Sequence, residues 1–313
     1  MREERNLFPP LPGSEKQRGI LMIKQRNDRF YSYLLLVPSF LVVILLILIP
    51  EIIAVILGFT NYSPGVNLRI VGLRNYLIII GDGAFWRDVF TNIVFVLVSV
   101  FLELIVGLFL ALLFAKKFWG QKLWIALILA PLAMTPSASA TIWRYLLDFN
   151  IGPINYLLQR LSLPRLQWFS SYPLALFSVI LIYVWQSSPY VFIMLYPVRI
   201  SISNTIYEAA SVDGASPWQI LFSITLPLLK PIIFIALVYR TIFALRAFGA
   251  VWNLTGGGPF RSTELMSIYL FKQGFVYWKF GLAAAVATIM LILTILLSRG
   301  LIENMYRTTF AKD

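Results

Sequence analysis

The 313-residue chain is 59% hydrophobic and 13% charged, with a mean hydropathy of +0.80, far from the roughly half apolar and one quarter charged of a soluble domain, so it belongs in a lipid bilayer. It contains neither cysteine nor histidine, which excludes disulfides, thiolate chemistry, Ser-His-Asp catalysis and imidazole metal sites. The formal charge of +12 fits basic inner loops and anionic headgroups in a membrane protein, and no nucleic-acid partner is expected.

Residues 1–30 mix Lys, Arg, Glu and Asp before any apolar run begins. They read as a basic cytoplasmic tail in contact with lipid, not a cleavable signal. About 20 apolar residues are needed to cross the hydrocarbon core, and six windows meet that length: 31–60, 89–115, 123–146, 172–198, 229–250 and 280–300. The second carries Glu103, and the fifth carries Arg240 and Arg246. The fold class expected is therefore an all-α integral membrane protein with six transmembrane helices. Six spans put both termini on one side. With the N-terminus inside, the inner segments hold fifteen Lys and Arg and the outer ones nine, which favours cytoplasmic termini.

That topology makes the segment between the fourth and fifth spans the longest inner loop. Within 204–228 the sequence spells two short helices. Ser203 or Asn204 can cap the first, which runs to Asp213, and Gly214 supplies the positive φ that ends it. Ser216, Pro217 and Gln219 have the spacing of a capping box that starts the second, and Leu226 and Pro227 close the unit. Such a pair cannot bury its apolar side chains alone. It either lies on the lipid surface as an amphipathic connector or docks in a partner's groove, with Glu208 offering a charge to that partner.

The loop resembles the EAA loop of the inner-membrane permease subunits of binding-protein-dependent ABC importers. Its pattern is E-A-A, three residues, G, nine residues, I, any residue, L-P, and Glu208, Ala209, Ala210, Gly214, Ile224, Leu226 and Pro227 fill every position. The resemblance implies that this loop, Asp213 included, is a coupling helix that docks on a cytoplasmic ATPase. It extends over nearly the whole chain and is similar to the sugar-permease branch, through the run from Glu103 to Phe118 and the LTGGGP run from Leu254 to Pro259. It further implies a second permease as heterodimer partner, two copies of the ATPase, an extracellular solute-binding protein, and a bacterial or archaeal cytoplasmic membrane. No Walker motif occurs in the chain. ATP and Mg are accordingly expected on the partner ATPase, with no cofactor, metal or catalytic residue here.

A transported solute needs polar groups inside the spans, where they are costly enough to be functional candidates. Tyr183, Ser187 and Tyr190 share one face of the fourth span, with Gln186 beside them. Tyr239, Phe243 and Arg246 repeat the spacing in the fifth. Aromatic faces can stack on sugar rings while hydroxyl and amide groups bond their hydroxyls, although each could equally be a packing residue in a crowded bundle. In related maltose-type permeases the sugar contacts fall at positions similar to Ser187, Tyr190, Phe243, Ala244 and Ala247. The family's amides are alanines here, with Arg246 alongside.

Arg240 and Arg246 each need an acid or a cavity. Glu103 can pair with one, and an unpaired arginine would suit an acidic sugar or sugar phosphate. The reading favoured is a permease subunit for carbohydrate import by alternating access. An ion-coupled secondary transporter using Glu103 is the competing class, and it leaves the EAA pattern unexplained.

Overall fold

A computed structural model describes residues 36–309. The basic tail expected over 1–30 lies outside the described residues. Two compact units, Met1–Ile56 and Leu57–Asp313, divide the chain. The described part of the first is α1 (Leu36–Leu57) up to Ile56, an apolar helix with a π turn at Ile44–Leu48.

The second unit is helical throughout its described length apart from loops and an isolated bridge between Thr60 and Ile70. In order come α2 (Arg74–Gly81), α3 (Gly83–Leu113), α4 (Gln121–Leu129), α5 (Pro136–Leu146), α6 (Pro153–Arg160) and α7 (Leu174–Ser201). Then follow α8 (Asn204–Val212), α9 (Pro217–Leu245), α10 (Gly249–Thr255), α11 (Met266–Phe271) and α12 (Phe280–Thr309). Five helices, α1, α3, α7, α9 and α12, are long and apolar enough to cross a membrane. They fall on five of the six windows.

The sixth window, 123–146, holds two helices bent by 104°. By length and composition they form a broken span or a re-entrant loop. The break has a local cause. A 3-10 turn at Ala130–Ala133 ends α4, and Met134 and Thr135 are extended, with ψ of 139° and 148°. Pro136 both forbids helical geometry in the residue before it and suits the first position of a new helix. Thr135 then caps α5, its hydroxyl accepting from the Ala138 amide at 3.2 Å.

Packing centres on α3 and α7, the most extensive helix pair. Their close approach depends on Gly107, where an added Cβ would lie 2.5 Å from the Cβ and Cγ1 of Val191. Small residues at such crossings let helices meet where lipid offers no hydrophobic drive. Phe95, Ile182, Ala244 and Val251 join α3, α7, α9 and α10 in one core, and Ala111, Phe192, Leu195 and Ala236 form another toward the far end of α7. A third core joins Ile79, Phe85, Tyr269 and Val286. Near it, the buried carboxylates of Asp88 and Glu264 are held by Arg261, and Glu264 also by Lys272 at 2.6 Å.

Candidate functional site

The seam between α7 and α9 is built around one ion pair. Glu103 of α3 is fully buried, and Arg240 of α9 is 2% exposed. The guanidinium donates from Nε to Oε2 at 2.6 Å and from a terminal nitrogen to Oε1 at 3.2 Å, and that nitrogen also donates to the Tyr183 hydroxyl at 3.3 Å. A buried charge keeps its ionised form only with such a partner set. Arg240 is thereby neutralised in place, and its Cζ lies 5.3 Å from the Tyr190 ring centroid.

Beside this pair opens a cavity of about 330 Å³. Tyr183, Gln186, Ser187, Tyr190, Phe243 and Arg246 all line it, so six of the seven residues proposed from the two helical faces come together. Tyr239, the seventh, is not on the wall. It sits behind, its ring 4.6 Å from Phe243 and 6.3 Å from Tyr190, and so supports the aromatic lining. Ala247 is also on the wall, whereas Ala244 is buried in the core.

Arg246 stands at the end of its helix and not within it. The helix α9 ends at Leu245, and Arg246 is its C-cap, where a cation meets the negative end of the helix dipole. Its guanidinium is exposed and has no carboxylate or hydrogen-bond partner among the described residues. With Glu103 and Arg240 cancelling, the cavity carries the single positive charge of Arg246.

Sequence reasoning missed part of the wall. Pro131, Leu132, Met134 and Pro136 at the α4–α5 bend, and Gly249 and Ala250 of α10, complete the cavity. Gln186 donates to the Met134 carbonyl at 3.3 Å, so this amide both lines the cavity and satisfies backbone exposed by the break. The signal was present in the two prolines of APLAMTPS within an uncharged window, since interrupted helices recur at transporter binding sites.

At the other end of α7 lies the second candidate region. Ser203 caps α8, accepting from the Thr205 amide at 3.3 Å. Gly214 has φ +79°, the Gly214 amide donates to Ser211 O at 3.1 Å, and the Ala215 amide donates to Ala210 O at 2.9 Å. This is a Schellman ending, in which the left-handed residue redirects the chain and satisfies two helix carbonyls. The capping box is complete: the Gln219 amide donates to Ser216 Oγ at 3.3 Å, and the Ser216 amide donates to Gln219 Oε1 at 2.7 Å. Tyr207 ties the turn down, with Arg199 stacked 4.3 Å over its ring and Thr225 Oγ1 at 3.4 Å from its hydroxyl.

The second helix of this region does not stop at Leu226 and Pro227 but runs on to Leu245. A π turn at Leu221–Thr225 precedes Pro227, and such a widened turn accommodates the hydrogen bond that proline cannot donate. Glu208, Ala209, Asp213 and Gly214 are exposed, Ala210, Ile224 and Leu226 are half-buried, and Pro227 is exposed. Around them Val212 is 87% exposed and Trp218 69%, the latter stacked on exposed Phe222.

Residues 78–309 match the family of binding-protein-dependent transport system inner membrane components. The trehalose/maltose transport system permease protein MalF of Thermococcus litoralis is 33% identical over 87% of this chain and 92% of its own length. The diacetylchitobiose uptake system permease protein DasB of Streptomyces coelicolor is 34% identical over 92% of this chain and 89% of its own. A chain from the crystal structure of a bacterial alginate ABC transporter, in complex with its alginate pentasaccharide-bound periplasmic protein, superposes with a TM-score of 0.80. It covers 92% of this chain and 98% of that one at 20% identity, a likeness of fold. The helical architecture and the match over most of its length together make this chain a member of the binding-protein-dependent transport system inner membrane component family.

Proposed function

We propose that this chain is the pore-forming permease subunit of an ATP-driven importer that carries a carbohydrate, an oligosaccharide in the main reading, across the cytoplasmic membrane by alternating access. The observation that carries the reading is the convergence of two aromatic and polar helix faces on one cavity, with Tyr183, Gln186, Ser187, Tyr190 and Phe243 on its wall. Relatives named for trehalose/maltose and diacetylchitobiose transport support the same substrate class. A second permease would close the pathway, and an extracellular solute-binding protein would deliver the sugar. Two copies of a separate ATPase would bind ATP and Mg and dock on the α8–α9 turn, where Glu208, Ala209, Ala210, Asp213, Gly214, Ile224, Leu226 and Pro227 carry the coupling pattern. Both termini would then be cytoplasmic, as the distribution of Lys and Arg favours.

The test is uptake of labelled maltose, trehalose and diacetylchitobiose into proteoliposomes holding the assembled importer. Uptake that needs ATP and the binding protein is expected. Uptake driven by an ion gradient without ATP would transfer the chain to the secondary transporters.

One observation favours a second reading, import of an acidic sugar. Arg246 reaches the cavity wall without a carboxylate or hydrogen-bond partner among the described residues, and a guanidinium binds carboxylate or phosphate through two parallel hydrogen bonds. Uptake of neutral and acidic oligosaccharides by wild type and Arg246→Ala separates the two. Acidic uptake that survives in the variant removes the second reading.

A further inference from the structure

A second cavity, of about 670 Å³ and walled chiefly by polar groups, opens where α5 and α10 end. Both helices start at the first cavity, with Pro136 and Gly249 on its wall. Their far ends, Arg144 and Trp252, are on the wall of the second. Arg144 lies eight residues along α5 from Pro136, a rise of about 12 Å. The chain between α5 and α7 completes this cavity and enters α7 at its first turn, whereas α8 follows the last turn of α7. The second cavity and the α8–α9 turn therefore belong to opposite ends of a helix about 42 Å long.

Its wall presents two held indoles. Trp168 donates its ring N–H to Asn155 Oδ1 at 3.3 Å, and buried Asn155 also binds the backbone of Asp148 and Leu166. Trp252 packs on Phe271 at 4.7 Å and is stacked on Phe248 at 6.0 Å. Between them stand polar groups the fold leaves over. Asp148 Oδ1 accepts from the amides of Asn150 and Ile151 at 2.8 and 3.0 Å, while Oδ2 has no donor among the described residues. The side-chain amides of Asn150 and Gln167, both on this wall, likewise make no hydrogen bond there. Fixed ring faces beside unspent donors and acceptors suit a polyhydroxylated ring, whose C–H face stacks while its hydroxyls bond.

We propose that this cavity is an outer carbohydrate subsite, which takes one sugar ring of the transported molecule between Trp168 and Trp252 before that molecule reaches the α7–α9 cavity. The proposal rests on the carbohydrate reading above. It places two polar stations along one helix pair, joined by the α5–α10 seam.

The chain has no cysteine, so a single introduced thiol is unique within it. Gln167→Cys reports the outer cavity, Phe243→Cys the inner one, and Leu163→Cys an exposed position outside both. Each variant is assembled into the importer in nanodiscs without binding protein. The rate of maleimide labelling of this subunit is then followed with maltose, trehalose, diacetylchitobiose or digalacturonate. A sugar that protects Phe243→Cys is expected to slow Gln167→Cys as well, about tenfold at ten times its half-saturating concentration, and to leave Leu163→Cys unchanged. Adding Asn150→Ala should weaken protection at Gln167→Cys alone. Protection of Phe243→Cys without Gln167→Cys would overturn the outer subsite and keep the carbohydrate reading. Protection of neither position by any of the four sugars overturns both. Protection of Gln167→Cys by added binding protein, and not by sugar, assigns the cavity to protein docking and removes the proposal.

Discussion

Glu103 and Arg240 stand 137 residues apart in the chain and meet in a two-point ion pair sealed between α3 and α9. Removing one partner leaves the other charge buried and unpaired, which costs about 3–5 kcal/mol. Glu103→Ala and Arg240→Ala should each lower the thermal unfolding midpoint of the solubilised importer sharply. The double replacement by methionine should lie nearer wild type, because both desolvation penalties disappear together. Equal stability of the single variants and wild type, read by thermal denaturation, would show that the pair does not hold the seam.

The α3–α7 crossing is tested at Gly107. An alanine there would place its Cβ on Val191, and overpacking of this kind costs about 1–3 kcal/mol. Gly107→Ala should destabilise, and combining it with Val191→Gly should cost less than the two changes added. Strict additivity in a double-mutant cycle would mean that the two side chains do not share this space.

Gly214 separates backbone strain from crowding. Its φ is +79°, yet an added Cβ would meet nothing within 4 Å in this chain. Gly214→Ala therefore faces a conformational cost of about 1–2 kcal/mol, and Gly214→Asn, which tolerates the left-handed region, a smaller one. ATP-dependent uptake should rank glycine first, asparagine second and alanine third. Asparagine falling below alanine would instead show that a docked partner requires bare backbone at this turn.

The capping box is a second handle on the same turn. Ser216→Ala removes the acceptor for the Gln219 amide and should cost about 1 kcal/mol of local helix stability. Hydrogen exchange should quicken over the first turn of α9 and remain unchanged over α7. Uniform quickening across both helices would point to global destabilisation.

Local codes were the most legible part of the sequence. Ser203, Gly214, Ser216 and Gln219 act through neighbours within five residues, and each does in the structure what its spacing implied. The face of Tyr183, Ser187 and Tyr190 was readable for the same reason, since helical period alone sets it. Tyr239 shares a period with Phe243, but neighbouring rings decide which of the two reaches the cavity. The bend at Met134 was hidden because hydropathy sees only an uncharged window, whereas the break follows from two prolines and an extended pair. Glu103 was legible as a partner for one of the two arginines, but Glu103 and Arg240 lie 137 residues apart, a separation no local window contains, so only the fold decides that it meets Arg240 and not Arg246.

The helix α9 runs unbroken from the capped turn at Ser216 to the cavity wall at Phe243 and Arg246. Its 29 residues make a rod about 44 Å long, with one end exposed and the other beside the α7–α9 cavity. A tilt of about 10° would sweep the far end through roughly 8 Å on a lever of that length. The π turn lies near its start and Pro231 at its midpoint, so flexing at either would shorten the sweep of the far end.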